Sequence, residues 1–148
     1  MLQKEGLPEE IAFQMLNNLI DKNTLLVAYN LAFDIGFLLK LFQKYVSRNY
    51  MIENDILDCM AVYKDRYAYP HKLMNAVEQF GLINENAHRA SDDALATFKV
   101  LEKLDQQQPN LPLYINVLGY NPKYQAPQTY FFKTKVRTVA QGMYGNRE

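Results

Sequence analysis

The sequence predicts an α/β fold built on a parallel crossover unit, and three observations predict it. Two short apolar runs, residues 24–29 and 50–57, are separated by a stretch whose apolar residues recur at helical spacing, which is the strand–helix–strand order of parallel sheets. Helical periodicity governs most of the rest up to residue 108. The 148 residues are 49% hydrophobic and 22% charged, a balance that suits one globular core and excludes wholesale disorder.

In chain order, Pro8, Glu9 and Glu10 suit a first helical turn, because proline gives up no helix bond there and carboxylates favour the positive end of the helix dipole. Ile11, Met15, Leu16, Leu19 and Ile20 extend that helix over 8–21. Residues 24–29 (T-L-L-V-A-Y) are nearly all apolar between polar flanks and read as a buried strand. Asp34, Leu38, Leu41, Phe42 and Tyr45 follow the helical period, which fades near Ser47, Arg48 and Asn49. A second strand ends in Ile56 and Leu57, and helices follow over 59–67, 71–80 and 91–105, with Gly81 closing the middle one. Residues 113–118 and 130–139 read as a strand pair joined by the turn-rich loop G-Y-N-P-K-Y-Q-A-P. Two strands are too few for an independent sheet, so something must complete it.

Sixteen Lys and Arg balance sixteen Asp and Glu, which removes the electrostatic case for a polybasic nucleic-acid or membrane binder. The balance hides a division. Residues 1–108 carry 11 Lys and Arg against 15 Asp and Glu, while residues 109–148 carry five against one. The switch falls at Q-Q-Q-P-N-L-P, a proline-bearing break, and divides the chain into a first unit, 1–108, and a basic C-terminal extension, 109–148. That extension holds Tyr114, Tyr120, Tyr124, Tyr130 and Tyr144, which could stack bases or pack on the domain. The lone Cys59 makes no internal disulfide, and no zinc-type Cys/His cluster is present; with no apolar stretch long enough for a leader or a membrane span, a cytoplasmic protein is expected.

Two segments carry candidate chemistry. V-A-Y-N-L-A-F-D runs from the first strand into a helix start, placing Asn30 and Asp34 at the carboxyl end of the strand, where α/β folds collect ligands. The ordinary alternative is Asn30 as an N-cap and Asp34 as a dipole partner. H-R-A-S-D-D-A opens the longest helix. Here Ser91 could cap, Asp92 and Asp93 could serve the dipole and His88 could be a solvated loop residue. Alternatively His88 is a general base and Asp93 a metal ligand, since imidazole titrates near neutrality and divalent cations take hard carboxylate oxygens.

Together and in this order the two segments resemble the DnaQ-like 3′–5′ exonucleases of the DEDDh type, which include the epsilon subunit of bacterial DNA polymerase III. Y-N-L-A-F-D is similar to the second exonuclease motif through Asn30, Phe33 and Asp34, and His88, Ala90 and Asp93 meet the third, H-x-A-x-x-D. Asp58, Lys72 and Leu73 also look like the family, and the similarity covers about residues 5–104. Tyr29 stands where the family more often has histidine. The resemblance implies a ribonuclease H-like exonuclease fold, a mixed sheet flanked by helices, here with a C-terminal β-hairpin extension. It implies hydrolysis of phosphodiester bonds at nucleic-acid 3′ ends by two divalent cations, magnesium or manganese. Asp34 and Asp93 would be metal ligands, His88 the general base, and Asn30 and Phe33 substrate-organising residues. Expected partners are a single-stranded DNA or RNA 3′ end and a DNA polymerase or another replication or repair protein, with no membrane.

The first motif of that family, D-x-E, has no counterpart on a plausible strand before Asn30; Glu5, Glu9 and Glu10 lie in loop or helix sequence. The expectation is a fragment without its first strands, with an incomplete two-metal site and impaired catalysis in the isolated chain. Two alternatives stand beside it: first strands supplied in trans by a second chain, or a degenerate domain covered by its own C-terminal strands. The alternative function is an inactive nucleic-acid-binding or polymerase-associated module on the same scaffold.

Overall fold

The structure is a computed structural model and describes residues 8–142, so Glu5 and Tyr144 lie outside it. Five α-helices and two parallel strand pairs occur among the described residues: α1 (Glu9–Leu19), β1 (Leu26–Ala28), α2 (Leu31–Tyr45), β2 (Ile56–Asp58), α3 (Cys59–Arg66), α4 (Leu73–Gln79), α5 (Ala90–Gln107), β3 (Val117–Tyr120) and β4 (Arg137–Ala140). The mixed α/β character expected from the sequence is present, and β1 and β2 pair in parallel with Leu26 opposite Ile56 and Ala28 opposite Asp58. α2 is the crossover between them. Asn54, buried before β2, donates from Nδ2 to the carbonyls of Asp21 and Thr24 and so fixes the approach to β1.

β2 is buried on both faces. Leu57 joins Cys59, Val62, Tyr63, Val77, Val100 and Leu104 in a cluster with α3, α4 and α5. Ile56, on the other face, joins Leu31, Ile35, Ile52, Leu118 and Phe132. Alternate residues of a strand point to opposite faces, so an apolar pair such as Ile56-Leu57 serves two cores only where both faces are covered.

α4 ends as Gly81 predicts. Gly81 takes φ 65°, its N–H reaches the Glu78 carbonyl at 3.1 Å and the Leu82 N–H reaches Val77 at 2.9 Å, the paired bonds of a glycine-terminated helix. The end of α5 is capped from outside. The Arg66 guanidinium donates to the carbonyls of Leu104 at 2.6 Å and Gln108 at 3.0 Å and to Asn110 Oδ1 at 2.6 Å, satisfying carbonyls that a helix leaves open.

The C-terminal hairpin expected from the sequence is not what forms. β3 and β4 pair in parallel, Val117 opposite Arg137 and Tyr120 opposite Ala140. The reason is that the connection is anchored halfway. The Ile52 N–H donates to Phe131 and the Lys133 N–H to Ile52, while Phe132 enters the core, so the chain crosses over before β4 instead of turning back. Residues 111–114, which overlap the start of the expected strand 113–118, form a 3-10 turn with Pro112 in its first positions, and β3 begins only at Val117.

Asn116 ties the extension to β2, beside a bridge between Ile115 and Leu57. Asn116, at φ 62°, donates its N–H to the Ile56 carbonyl at 2.8 Å, accepts the Ile56 N–H on Oδ1 at 3.0 Å and donates from Nδ2 to Asp55 at 2.9 Å. At the far end the buried Gln141 donates from Nε2 to the Ala61 carbonyl and to Asp65 Oδ1, both at 2.9 Å. Gly119 leaves room for that amide: a Cβ there would stand 1.8 Å from Gln141 Oε1 and displace it.

Candidate active site

The carboxyl ends of β1 and β2 are joined by a buried acid. Asp58 ends β2, and its Oδ1 accepts the N–H of Asn30 at 3.0 Å and of Met60 at 3.0 Å, with a further backbone bond from Leu31. One carboxyl thus caps α3 and the start of α2 together, holding Asn30 in a left-handed conformation at φ 68°. Burial pushes the Asp58 carboxyl up to about 6, against the three backbone donors and the nearby Lys64. Asn30 takes the N-cap position of α2 as the sequence suggests, but its side chain makes no cap bond; Asp58 accepts its N–H instead.

From this corner α2 presents Asp34 in its first turn. Burial raises the Asp34 carboxyl above its ordinary value. Asp93, in the first turn of α5, stands across from it. The two carboxylates line one cavity of about 630 Å³ beside β1, with Val27, Leu73, Thr97 and Phe98 among its walls. Asp93 is held from three directions: Oδ1 accepts Asn84 Nδ2 at 2.8 Å and the His88 N–H at 3.2 Å, and its carbonyl accepts the Thr97 hydroxyl at 2.8 Å. Asp92 turns elsewhere, toward Arg89, whose Nε lies 3.7 Å from Asp92 Oδ2.

His88 sits at φ 76°, exposed, one residue ahead of the Arg89 cap of α5. It lines an adjoining cleft that shares Leu73 and Asp93 with the main cavity, so Asp93 stands between the histidine's cleft and Asp34. Ser91 lies inside α5 and not at its cap, which falls on Arg89 without a side-chain bond. Asn30 borders a third cavity and Phe33 faces outward, 64% exposed and packed edge-on against Phe37 at 5.2 Å. The fold therefore brings Asp34 and Asp93 to one cavity, sets His88 on the cleft next to it and leaves Asn30 and Phe33 at the rim.

A hard divalent cation takes oxygen donors, and Asp34 with Asp93 supplies that chemistry. The set is short: among the described residues no group of three or more His, Cys, Asp or Glu side chains stands together where it could hold a metal ion. Sequence reasoning also missed Asn84, which orients Asp93, and Asn116; an isolated asparagine in a loop carries no pattern that announces such a role. Cys59 is fully buried, its thiol pushed up by burial, and Sγ lies 3.9 Å from the Thr97 carbonyl.

A family model described as Exonuclease, RNase_T, matches residues 1–101. A PolC-type DNA polymerase III of Clostridium perfringens is 37% identical over 84 residues, 54% of this chain and 6% of that protein. A protein named 3′-5′ exonuclease DinG from Staphylococcus haemolyticus is 32% identical over 120 residues, 76% of this chain and 12% of that protein. The Staphylococcus aureus (strain bovine RF122) protein of the same name is 30% identical over 117 residues, again 76% and 12%. The chain thus spans about an eighth or less of the length of these relatives. No solved structure matches.

Proposed function

The chain belongs to the RNase_T exonuclease family, and from that premise we propose that it hydrolyses phosphodiester bonds at nucleic-acid 3′ ends, as a DEDDh-type exonuclease. The observation that carries the reading is the convergence of Asp34 and Asp93, from two different helices, on one cavity at the open side of β1. Two carboxylates aimed into one cleft have a general use in binding divalent cations.

Asp34 and Asp93 would hold the ions, magnesium or manganese, together with ligands outside the described residues. What such ions supply is activation of water and neutralisation of charge on the departing 3′ oxygen. His88 accepts the proton of the attacking water. Its exposure leaves the ring free to turn toward the cleft, and its backbone bond to Asp93 keeps base and ligand in step. Asn30 and Phe33, at the rim, would meet the strand behind the terminal nucleotide.

The test is a 3′-labelled single-stranded oligonucleotide with magnesium or manganese, offered to the chain alone and to a form preceded by a strand bearing D-x-E. The extended form is expected to release mononucleotides from the 3′ end and the chain alone to be far slower. Asp93→Ala should abolish release, and His88→Ala should slow it about 10²–10⁴-fold, the usual worth of a general base. Absence of release from both forms overturns the reading. It would favour a binding module without catalysis.

A further inference from the structure

A cavity of about 370 Å³ lies next to the candidate catalytic one and shares Tyr29 and Leu73 with it. Its polar walls include Asn30, Lys64, Tyr69, His71, Lys72 and Asn121. No carboxylate lines it, although the first 108 residues carry an excess of acids. The ammonium-bearing Lys64 is only 9% exposed, an unusual state for a lysine. Among the described residues it is in no ion pair.

The two acids that act on Lys64 from a distance, Asp58 and Asp65, are engaged elsewhere. Asp58 holds the N–H groups of Asn30 and Met60, and Asp65 holds Gln141 and the Tyr114 hydroxyl. Burial accordingly draws the Lys64 ammonium below its ordinary value. A largely covered lysine that meets no carboxylate gains when a ligand supplies the anion. At the mouth, Lys72 adds a second positive charge and Tyr69, 55% exposed, offers a ring held edge-on to His71 at 5.8 Å.

We propose that this cavity is a phosphate subsite for single-stranded nucleic acid, with Lys64 as the anchoring cation, Lys72 as its partner at the mouth and Tyr69 as the stacking surface for the attached base. The proposal rests on the nuclease reading for the identity of the strand: Tyr29 and Leu73 line both cavities, so a strand whose 3′ end lies between Asp34 and Asp93 has this space within reach. It also gives the extension a part in binding. Asn121, just beyond β3, closes one side, so β3 holds a wall of the subsite in place.

The probe is a short fluorescent oligothymidylate, titrated in EDTA at several salt concentrations so that binding is read without hydrolysis. Lys64→Met is expected to weaken binding about tenfold and to flatten the logarithmic salt dependence by about 0.7, the share of one phosphate contact on a single strand. Lys64→Arg should restore the slope. Tyr69→Ala should weaken binding at least about fivefold without changing the slope, as loss of base stacking does. Thermal melting separates the competing role: were Lys64 only a counter-ion for Asp58, Lys64→Met would lower the melting temperature while the folded protein bound as wild type, which overturns the proposal. Should Lys64→Met fail to fold, wild-type affinity in both Lys72→Met and Tyr69→Ala overturns it instead. Binding that depends on Lys64, with no metal-dependent release from the extended form, sinks the nuclease reading and leaves the subsite standing. Normal release with unaltered binding in Lys64→Met does the reverse.

Discussion

β1 and β2 are both three-residue strands, they pair with each other, and both open with two aliphatic residues, yet their surroundings are opposite. Ile56 in β2 is 0% exposed and every β2 residue is buried, whereas Val27 at the centre of β1 is 41% exposed. The difference is one of edges and faces. β2 has β1 on one edge and Asn116 on the other, with a packed cluster on each face. β1 pairs with β2 alone among the described residues, and its outer side opens on the cavity of Asp34 and Asp93. Apolar sequence therefore supplies stability only where the fold brings a second surface to it. The strand left partly uncovered is the one beside the candidate chemistry.

Mutations should reproduce this contrast. Ile56→Ala removes a side chain from a fully packed site and is expected to cost about 4 kcal/mol in urea unfolding, near the upper part of the range for such truncations. Asn116→Ala leaves the Ile56 N–H without its acceptor and removes the bond to Asp55, for a loss of about 3 kcal/mol, since a buried donor left unsatisfied carries its full desolvation cost. A loss in Asn116→Ala no larger than for an exposed residue would show that the extension is not what closes the second edge.

The next effect is a pH dependence at the end of β2. Because burial raises Asp58 to about 6 from an ordinary value of 3.8, the folded chain binds the Asp58 proton more tightly than the unfolded chain. The stability this contributes is complete below about pH 4 and is lost as pH rises through about 6, on the order of 2 kcal/mol. Unfolding free energies measured between pH 4 and 7 should show that decline, and Asp58→Asn should flatten it while keeping the accepting oxygen. The smallest effect belongs to β1: Val27→Thr should change stability by about 0.5 kcal/mol or less, as at other exposed positions. A Val27 cost approaching that of Ile56 would mean that β1 is covered in solution.

Much of the scaffold was legible in the sequence, because helices announce themselves by period and by their ends. Gly81 closes α4 as its place after an amphipathic run predicts, and the strand–helix–strand order of β1, α2 and β2 follows from hydrophobic spacing. The pairing of β3 with β4 was not legible. Their hydrogen-bonding partners are chosen by where Phe132 and Asn116 dock, and those contacts lie some 60 to 80 residues away in the chain, at Ile52 and Ile56. The same limit applies to Asp58. A short acid before a helix reads as a cap for that helix, and nothing in the pattern says that it also holds Asn30 at the start of α2.

By itself, the sequence determined the elements and the two motifs, because periodicity, caps and chemically special residues are local properties written along the chain. Only the tertiary structure decided which of those residues share a cavity. It set Asp34 and Asp93 facing one space, turned Asp92 toward Arg89, left Phe33 at the rim and buried Lys64 beside an acid-free cavity. Each of these outcomes depends on which surface reaches a side chain first, and that is fixed by long-range packing, not by spacing.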